Sequence, residues 1–164
     1  MPDVKPIPGG FHTVTPSIVI KDAAAAIEFY RKAFGAEVAL RLSGPEESVV
    51  HAEIQIGDSI IMLGEEGPGH HVQSPAAVKS TTATLHIYVE DVDAAHRRAV
   101  AAGATEIMPP VDMFWGDRFS SLTDPFGHSW SLATHKKDLS PAECQKACDE
   151  WMDWMASGGD TPCA

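Results

Sequence analysis

The chain has 164 residues, 44% hydrophobic and 21% charged, the balance of one ordinary globular domain and not that of a disordered or membrane-embedded chain. Its 23 acidic side chains against 12 basic ones give a net charge of −11, a field that repels polyphosphate, so nucleic acid and anionic membrane are not expected partners. No apolar run approaches the roughly 20 residues that span a bilayer, and MPDVKPIPGGF at the N-terminus lacks the pattern of a secretory signal, so a cytoplasmic protein is expected.

In chain order, TPSIVI (15–20) alternates as a half-buried strand does. Asp22 then stands at the N-cap of a helix over 22–34. Ala26, Phe29, Tyr30, Ala33 and Phe34 give that helix one apolar face, and Gly35 ends it. Strands follow at 37–43, 48–56 and 59–64; in the middle one Val50, Ala52, Ile54 and Ile56 alternate with His51, Glu53 and Gln55. The segment 64–80 is rich in Gly, Pro and polar residues and reads as a mobile loop, with His70 and His71 solvated.

The order then begins again: a strand over 82–89, a helix over 91–102 closed by Gly103, and strands near 105–111, 117–123 and 129–134. His96, in this second helix, is expected at a solvated or partly packed position. Asp22 recurs as Asp91, Gly35 as Gly103 and Gly57 as Gly127, so three landmarks keep a spacing of about 70 residues. The reading is an α+β fold, one domain over 1–164 made of two tandem βαβββ units (12–64 and 81–135) joined by the loop 65–80.

In the tail, Ser140-Pro141-Ala142-Glu143 joins a capping box to a proline at the first helical position, predicting a C-terminal helix within 140–157. Trp151, Met152, Trp154 and Met155 make its end apolar; packing on the same domain and covering a partner subunit are both open, since such residues are common at interfaces. Cys144, Cys148 and Cys163 are odd in number with no export signal, which fits reduced thiols.

The duplication, together with MFWGDRFSSLTDPFGHSWSLATH at 113–135, resembles the glyoxalase/bleomycin-resistance/dioxygenase (vicinal oxygen chelate) superfamily, and within it the PhnB-like branch. The resemblance covers roughly 12–157. It implies a curved mixed sheet around a cavity, and a homodimer. It also implies, in the metal enzymes of the superfamily, one divalent ion held by a ligand from the first and last strand of each unit. Counting from the helix caps and turn glycines, those positions fall on Thr15, Met62, Thr84 and Ser131. A hydroxyl or thioether offers neither imidazole nor carboxylate, so the usual metal is not expected and no cofactor is predicted.

A period of two puts Thr84, His86 and Tyr88 on one face of their strand, with Leu85, Ile87, Val89, Trp130 and Leu132 in the hydrophobic layer behind. Three uses of this face stay open. His51, Glu53 and His86 are the minimum for a non-standard divalent metal site. His51 and Glu53, two apart on one strand, can act without metal as a catalytic proton-transfer dyad. The third use is binding of an unaltered small molecule, as in the bleomycin-resistance relatives, for which an acidic, aromatic-lined pocket suits a cationic or planar ligand. Arg118 either clamps a ligand anion or forms an internal salt bridge with Asp117, Asp112 or Asp124; Trp115 either stacks on the ligand or covers the sheet edge. Asp124, Pro125 and Gly127 build a turn, while His128 and His135 receive no chemical role. No strand, glycine-rich loop and helix follow one another as a nucleotide cofactor site would require, so a methyltransferase is not supported.

Overall fold

The computed structural model describes residues 4–67 and 71–158; His70 and Cys163 lie outside the described residues. The chain divides into two compact units, one running to Thr81 and including Pro125–Gly127, the other taking Thr82–Asp124 and the residues from His128 onward.

The first unit comprises β1 (Ser17–Ile20), α1 (Ala23–Phe34), β2 (Glu37–Ser43), a 3-10 turn at Pro45–Glu47, β3 (Val49–Ile56), β4 (Ser59–Glu65) and the short α2 (Pro75–Val78). The second comprises β5 (Thr84–Tyr88), α3 (Val92–Ala102), β6 (Thr105–Asp112), β7 (Asp117–Thr123), β8 (Ser129–His135) and α4 (Pro141–Ala156). Each unit builds a four-stranded mixed sheet, ordered β1-β4-β3-β2 and β5-β8-β7-β6, in which only the first and last strands pair in parallel. This is the α+β duplication expected from the sequence, with the C-terminal helix in place.

Local chemistry explains why the two units start alike. Asp22 accepts a hydrogen bond from the Ala25 amide and Asp91 from the Ala94 amide, both at 2.9 Å, satisfying donors that a helix N-terminus leaves free. Gly35 and Gly103 close the helices in the left-handed region. Behind the first sheet, Ala26, Phe29, Tyr30 and Ala33 of α1 are buried, as are Ala52, Ile54 and Leu63 of the sheet. Gly64 sits inside β4 because a Cβ there would meet the Val50 carbonyl oxygen at 2.8 Å.

Two expectations need correction. The segment 64–80 is not wholly loop: Ser74, fully buried, caps the single turn of α2 through the Ala77 amide, and its own amide donates to Glu66 at 2.6 Å. Ser74-Pro75 is a cap followed by an N1 proline, a helix-start signal inside an otherwise loop-like composition. His96 is not solvated: it is 3% exposed, because it lies on the face of α3 that carries the buried Val92, Ala95 and Ala99, and its Nε2 lies 2.6 Å from Glu106.

The turn before β8 is organised by Asp124, which is 4% exposed. Its two carboxylate oxygens accept from the His128 amide and from Nε1 of the fully buried Trp130, each at 2.9 Å. Burying the indole requires that partner, since an unpaired buried N–H carries the full desolvation cost. Asp124→Ala is expected to lower stability by about 2–4 kcal/mol in urea unfolding, through two lost charge-assisted bonds. A loss under about 1 kcal/mol would show that the turn holds without them.

Candidate functional site

The residues that gather on one face do so in the second unit. Along β5, Leu85 and Ile87 are half-buried, while Thr84, His86 and Tyr88 are exposed on the opposite pleat. Parallel pairing sets Thr84 against Ser129, His86 against Ser131 and Tyr88 against Ala133. Nδ1 of His86 lies 2.7 Å from the Ser131 hydroxyl, and the Thr84 hydroxyl donates to Ser129 at 3.1 Å. Trp130 and Leu132 point the other way and are fully buried.

This register revises the count from the helix caps. Thr84 and Ser131 share a face but are not neighbours; the residue beside Ser131 is His86, two positions further along. In the first unit the residue beside Met62 is Ser17, while Thr15 precedes β1 and donates its hydroxyl to the His12 carbonyl at 2.9 Å. The physical reason is that the connection from strand to helix cap is not a rigid ruler, whereas the ladder is. The donor sets beside one another are therefore Ser17 with Met62 and His86 with Ser131.

Asp117, at the start of β7, ties the aromatic side chains of this face together. It is 5% exposed and accepts three hydrogen bonds: from the Tyr88 hydroxyl at 3.1 Å and the Trp115 indole at 3.2 Å, both on Oδ2, and on Oδ1 from His135 Nδ1 at 2.7 Å. His135 in turn reaches Asp138 through Nε2 at 3.0 Å. Phe119, next on the same pleat, stands parallel to the His86 ring with centroids 6.0 Å apart and meets Trp115 edge-on at 5.7 Å; Tyr88 meets His86 edge-on at 4.7 Å. The result is a panel of four rings, His86, Tyr88, Trp115 and Phe119, two of them held by one buried carboxylate.

Charge on the panel is split. Partial desolvation holds His86 below the ordinary imidazole range, opposed by the field of Asp117, so near neutral pH its ring is uncharged. His135 is raised by its bonds to Asp117 and Asp138 and favours the imidazolium. Donation to Asp117 pushes the Tyr88 phenol above its usual value, keeping the proton on the hydroxyl.

The other expected residues lie elsewhere. His51 and Glu53 belong to β3 of the first unit, half-buried, with Nε2 and Oε1 3.3 Å apart; Glu53 stands between Leu40 and Met62, and His51 opposite Leu42. The dyad geometry is therefore present, whereas His86 belongs to the second unit. Among the described residues no group of three or more His, Cys, Asp or Glu is arranged to hold a metal ion. Arg118 sits on the alternate pleat from Asp117 and is engaged by Asp93 in a fork at 2.7 and 2.8 Å and by Asp112 at 3.2 Å. Asp112 was an anticipated partner; Asp93 was not, and neither Asp117 nor Asp124 forms an ion pair with it. Bonding to Asp93 and Asp112 raises Arg118, and Arg118 holds the Asp93 carboxyl below its usual range.

Sequence reasoning passed over Asp117 as a site residue and gave His135 no role. A usable signal existed: counting by twos from Ser131 along β8 reaches His135, and counting back by twos from Ser121 along β7 reaches Asp117.

With this geometry in hand, comparison with known proteins places the chain. Residues 10–132 match the sequence model of the Glyoxalase/Bleomycin resistance protein/Dioxygenase superfamily, and the chain belongs to it. It is similar to an uncharacterized protein of Mycobacterium bovis, 39% identical over 150 residues that cover 90% of this chain and 94% of the relative. Among solved structures it resembles TioX from Micromonospora sp. ML1, with a TM-score of 0.60 and 26% identity over 79% of this chain and 100% of TioX. The PhnB protein from Bacillus cereus shares the fold, with a TM-score of 0.58 and 21% identity over 75% of this chain and 99% of that one. No helix of the described residues is long and apolar enough to cross a membrane.

The opposite shifts of the two histidines give opposite signs to their pH dependence. His135, raised in the folded state, contributes stability that is complete below the unfolded histidine value and lost as pH rises through its folded value. His86, lowered, contributes nothing above the unfolded value and costs stability as pH falls through and below it. In an NMR titration His86 is expected to protonate below free histidine and His135 above it, and Asp117→Asn to bring His135 back down. A His135 midpoint unmoved by that substitution would disprove the ion pair.

Proposed function

We propose that this protein binds a small planar or cationic molecule on the aromatic panel of the second sheet, as a cytoplasmic, homodimeric member of the PhnB-like branch, without the metal quartet of its superfamily. The observation that carries this reading is the saturated Asp117 carboxylate. It fixes Tyr88, Trp115 and His135 through three hydrogen bonds, so these side chains need not be ordered at the moment of binding. Rings presented in this way offer faces for stacking and cation–π attraction, and a net charge of −11 draws a cation toward them. Thr84, His86 and Ser131 supply polar contacts beside the rings.

The donor chemistry supports a function independent of the usual metal. Side by side on the first and last strands stand a serine with a methionine and a histidine with a serine, and of these four only His86 is a ready ligand for a transition metal. The PhnB-like assignment rests on the WGDRF and DPFGH segments of the chain and on the fold shared with the Bacillus cereus protein. Exposed Met152 and Trp154 on α4 support an assembly of two copies. A metal-free catalytic role for His51 and Glu53 has one observation in its favour, their 3.3 Å contact, and a ligand turned over during the experiment would select it.

The test is a fluorescence titration with proflavine, a planar cation, paired with metal analysis of untagged protein purified without chelator. Saturable one-to-one binding is expected, weakened about 3- to 30-fold in Tyr88→Ala, the range that loss of one ring contact spans. Equal affinity in the variant, or one stoichiometric ion per chain with no proflavine binding, would refute the proposal.

A further inference from the structure

A second feature of the second unit borders the aromatic panel at Asp117. A pocket of about 450 Å³ opens beside the connection from β6 to β7, lined by Asp112, Asp117, Arg118, Lys136 and Lys137 among others. Three of the chain's 12 basic residues converge there, in a protein whose net charge is −11.

The ionic groups of the lining differ in how they are engaged. Asp112 is paired with Arg118, and Arg118 is held in addition by both oxygens of Asp93. Asp117 accepts from His135, Tyr88 and Trp115. Both carboxylates of the lining and its guanidinium are therefore engaged within the protein. Lys136 and Lys137 are the remainder, exposed and without an ion pair among the described residues. Two ammonium groups, adjacent in sequence and bordering one cavity, are the cations of the lining that no carboxylate holds.

Their backbone is fixed. The amides of Lys136 and Lys137 both donate to the Gly116 carbonyl oxygen at 3.0 Å, and the Gly116 amide donates to Met113 at 3.1 Å. Gly116 has φ +100, and a Cβ there would lie 2.5 Å from the Lys137 carbonyl oxygen, an approach that only glycine allows. A shared acceptor thus anchors the backbone of both lysines at the pocket wall.

We infer that this pocket is an anion-binding site, distinct from the aromatic panel, which takes a small oxyanion or the carboxylate or phosphate end of a small molecule between Lys136 and Lys137. Lysine ammonium groups act there as compact point charges with rotatable donors, suited to an oxyanion of either geometry. Arg118 belongs to the same lining, but its guanidinium is already held by Asp93 and Asp112.

The test is isothermal titration at fixed ionic strength with inorganic phosphate and, separately, succinate. Three proteins are compared: the wild type, Lys136→Ala/Lys137→Ala, and Lys5→Ala/Lys32→Ala, which removes the same charge from the first unit. Saturable binding of at least one anion is expected in the wild type, with a dissociation constant on the order of 1 mM or tighter. It should weaken about tenfold or more in the 136/137 variant and stay within about twofold of the wild type in the 5/32 variant, because the direct charge-assisted bonds are lost only in the former. Whichever anion binds more tightly identifies the phosphate or the carboxylate class. No saturable uptake of either anion below about 10 mM, or equal weakening in both variants, would overturn the inference. Proflavine binding in the 136/137 variant reads the aromatic panel alone, so the two sites stand or fall separately.

Discussion

In each unit the first strand runs parallel to the last, and that pairing decides which side chains meet on the sheet. A parallel ladder needs a crossover, which α1 supplies between β1 and the strands that follow, and α3 between β5 and its sheet. Once β5 lies against β8 in this register, His86 has no neighbour across the ladder but Ser131, and Tyr88 is brought to the end of the sheet where β7 begins. A slip of β5 by one residue would turn His86 and Tyr88 inward and expose Leu85 and Ile87, which share the hydrophobic side with the fully buried Trp130 and Leu132. The hydrophobic layer behind the sheet thereby enforces the polar and aromatic arrangement in front of it.

Asp117 then converts position into orientation. A carboxylate taken almost wholly out of water must find donors, and Tyr88, Trp115 and His135 answer it from three elements of the unit. One ionised group thereby sets the tilt of two aromatic rings and favours the charged form of an imidazole, while His86, a short distance along β5, stays neutral. Two histidines on one sheet face are thus shifted in opposite directions: His135 upward by its bonds to Asp117 and Asp138, His86 downward by partial desolvation.

Periodicity and punctuation carried most of the fold in the sequence. The caps Asp22 and Asp91, the stops Gly35 and Gly103 and the capping box at Ser140 are short-range chemistry, and the elements lie where those residues put them. What escaped was long-range or masked by composition. Ser74-Pro75 carried a helix start among loop-like neighbours. The pairing of Arg118 with Asp93 joins residues 25 apart through packing of α3 on the sheet, which no local spacing reveals. The candidate site was half visible: the alternation of Thr84, His86 and Tyr88 follows from a period of two, but that the ladder sets His86 beside Ser131 depends on a long-range register that no local spacing gives. Asp117 was obscured by the adjacent Arg118, whose charge invited a local pairing that their opposite pleats forbid.

The duplication also leaves each sheet with two terminal strands. In the first unit one of them is β2, all seven residues exposed, with Val38, Leu40 and Leu42 among them and β3 as its sole ladder partner. A free row of amides and carbonyls beside apolar side chains is a template on which another chain can polymerise. The ladder of β2 is broken between Val38 and Leu40 and again between Leu42 and Ser43, and Arg41 stands in the interval. Those two irregularities spoil the even spacing an incoming strand would need, and the guanidinium discourages a second copy of itself across the seam. Irregularities of this kind are among the devices by which edge strands resist edge-to-edge pairing.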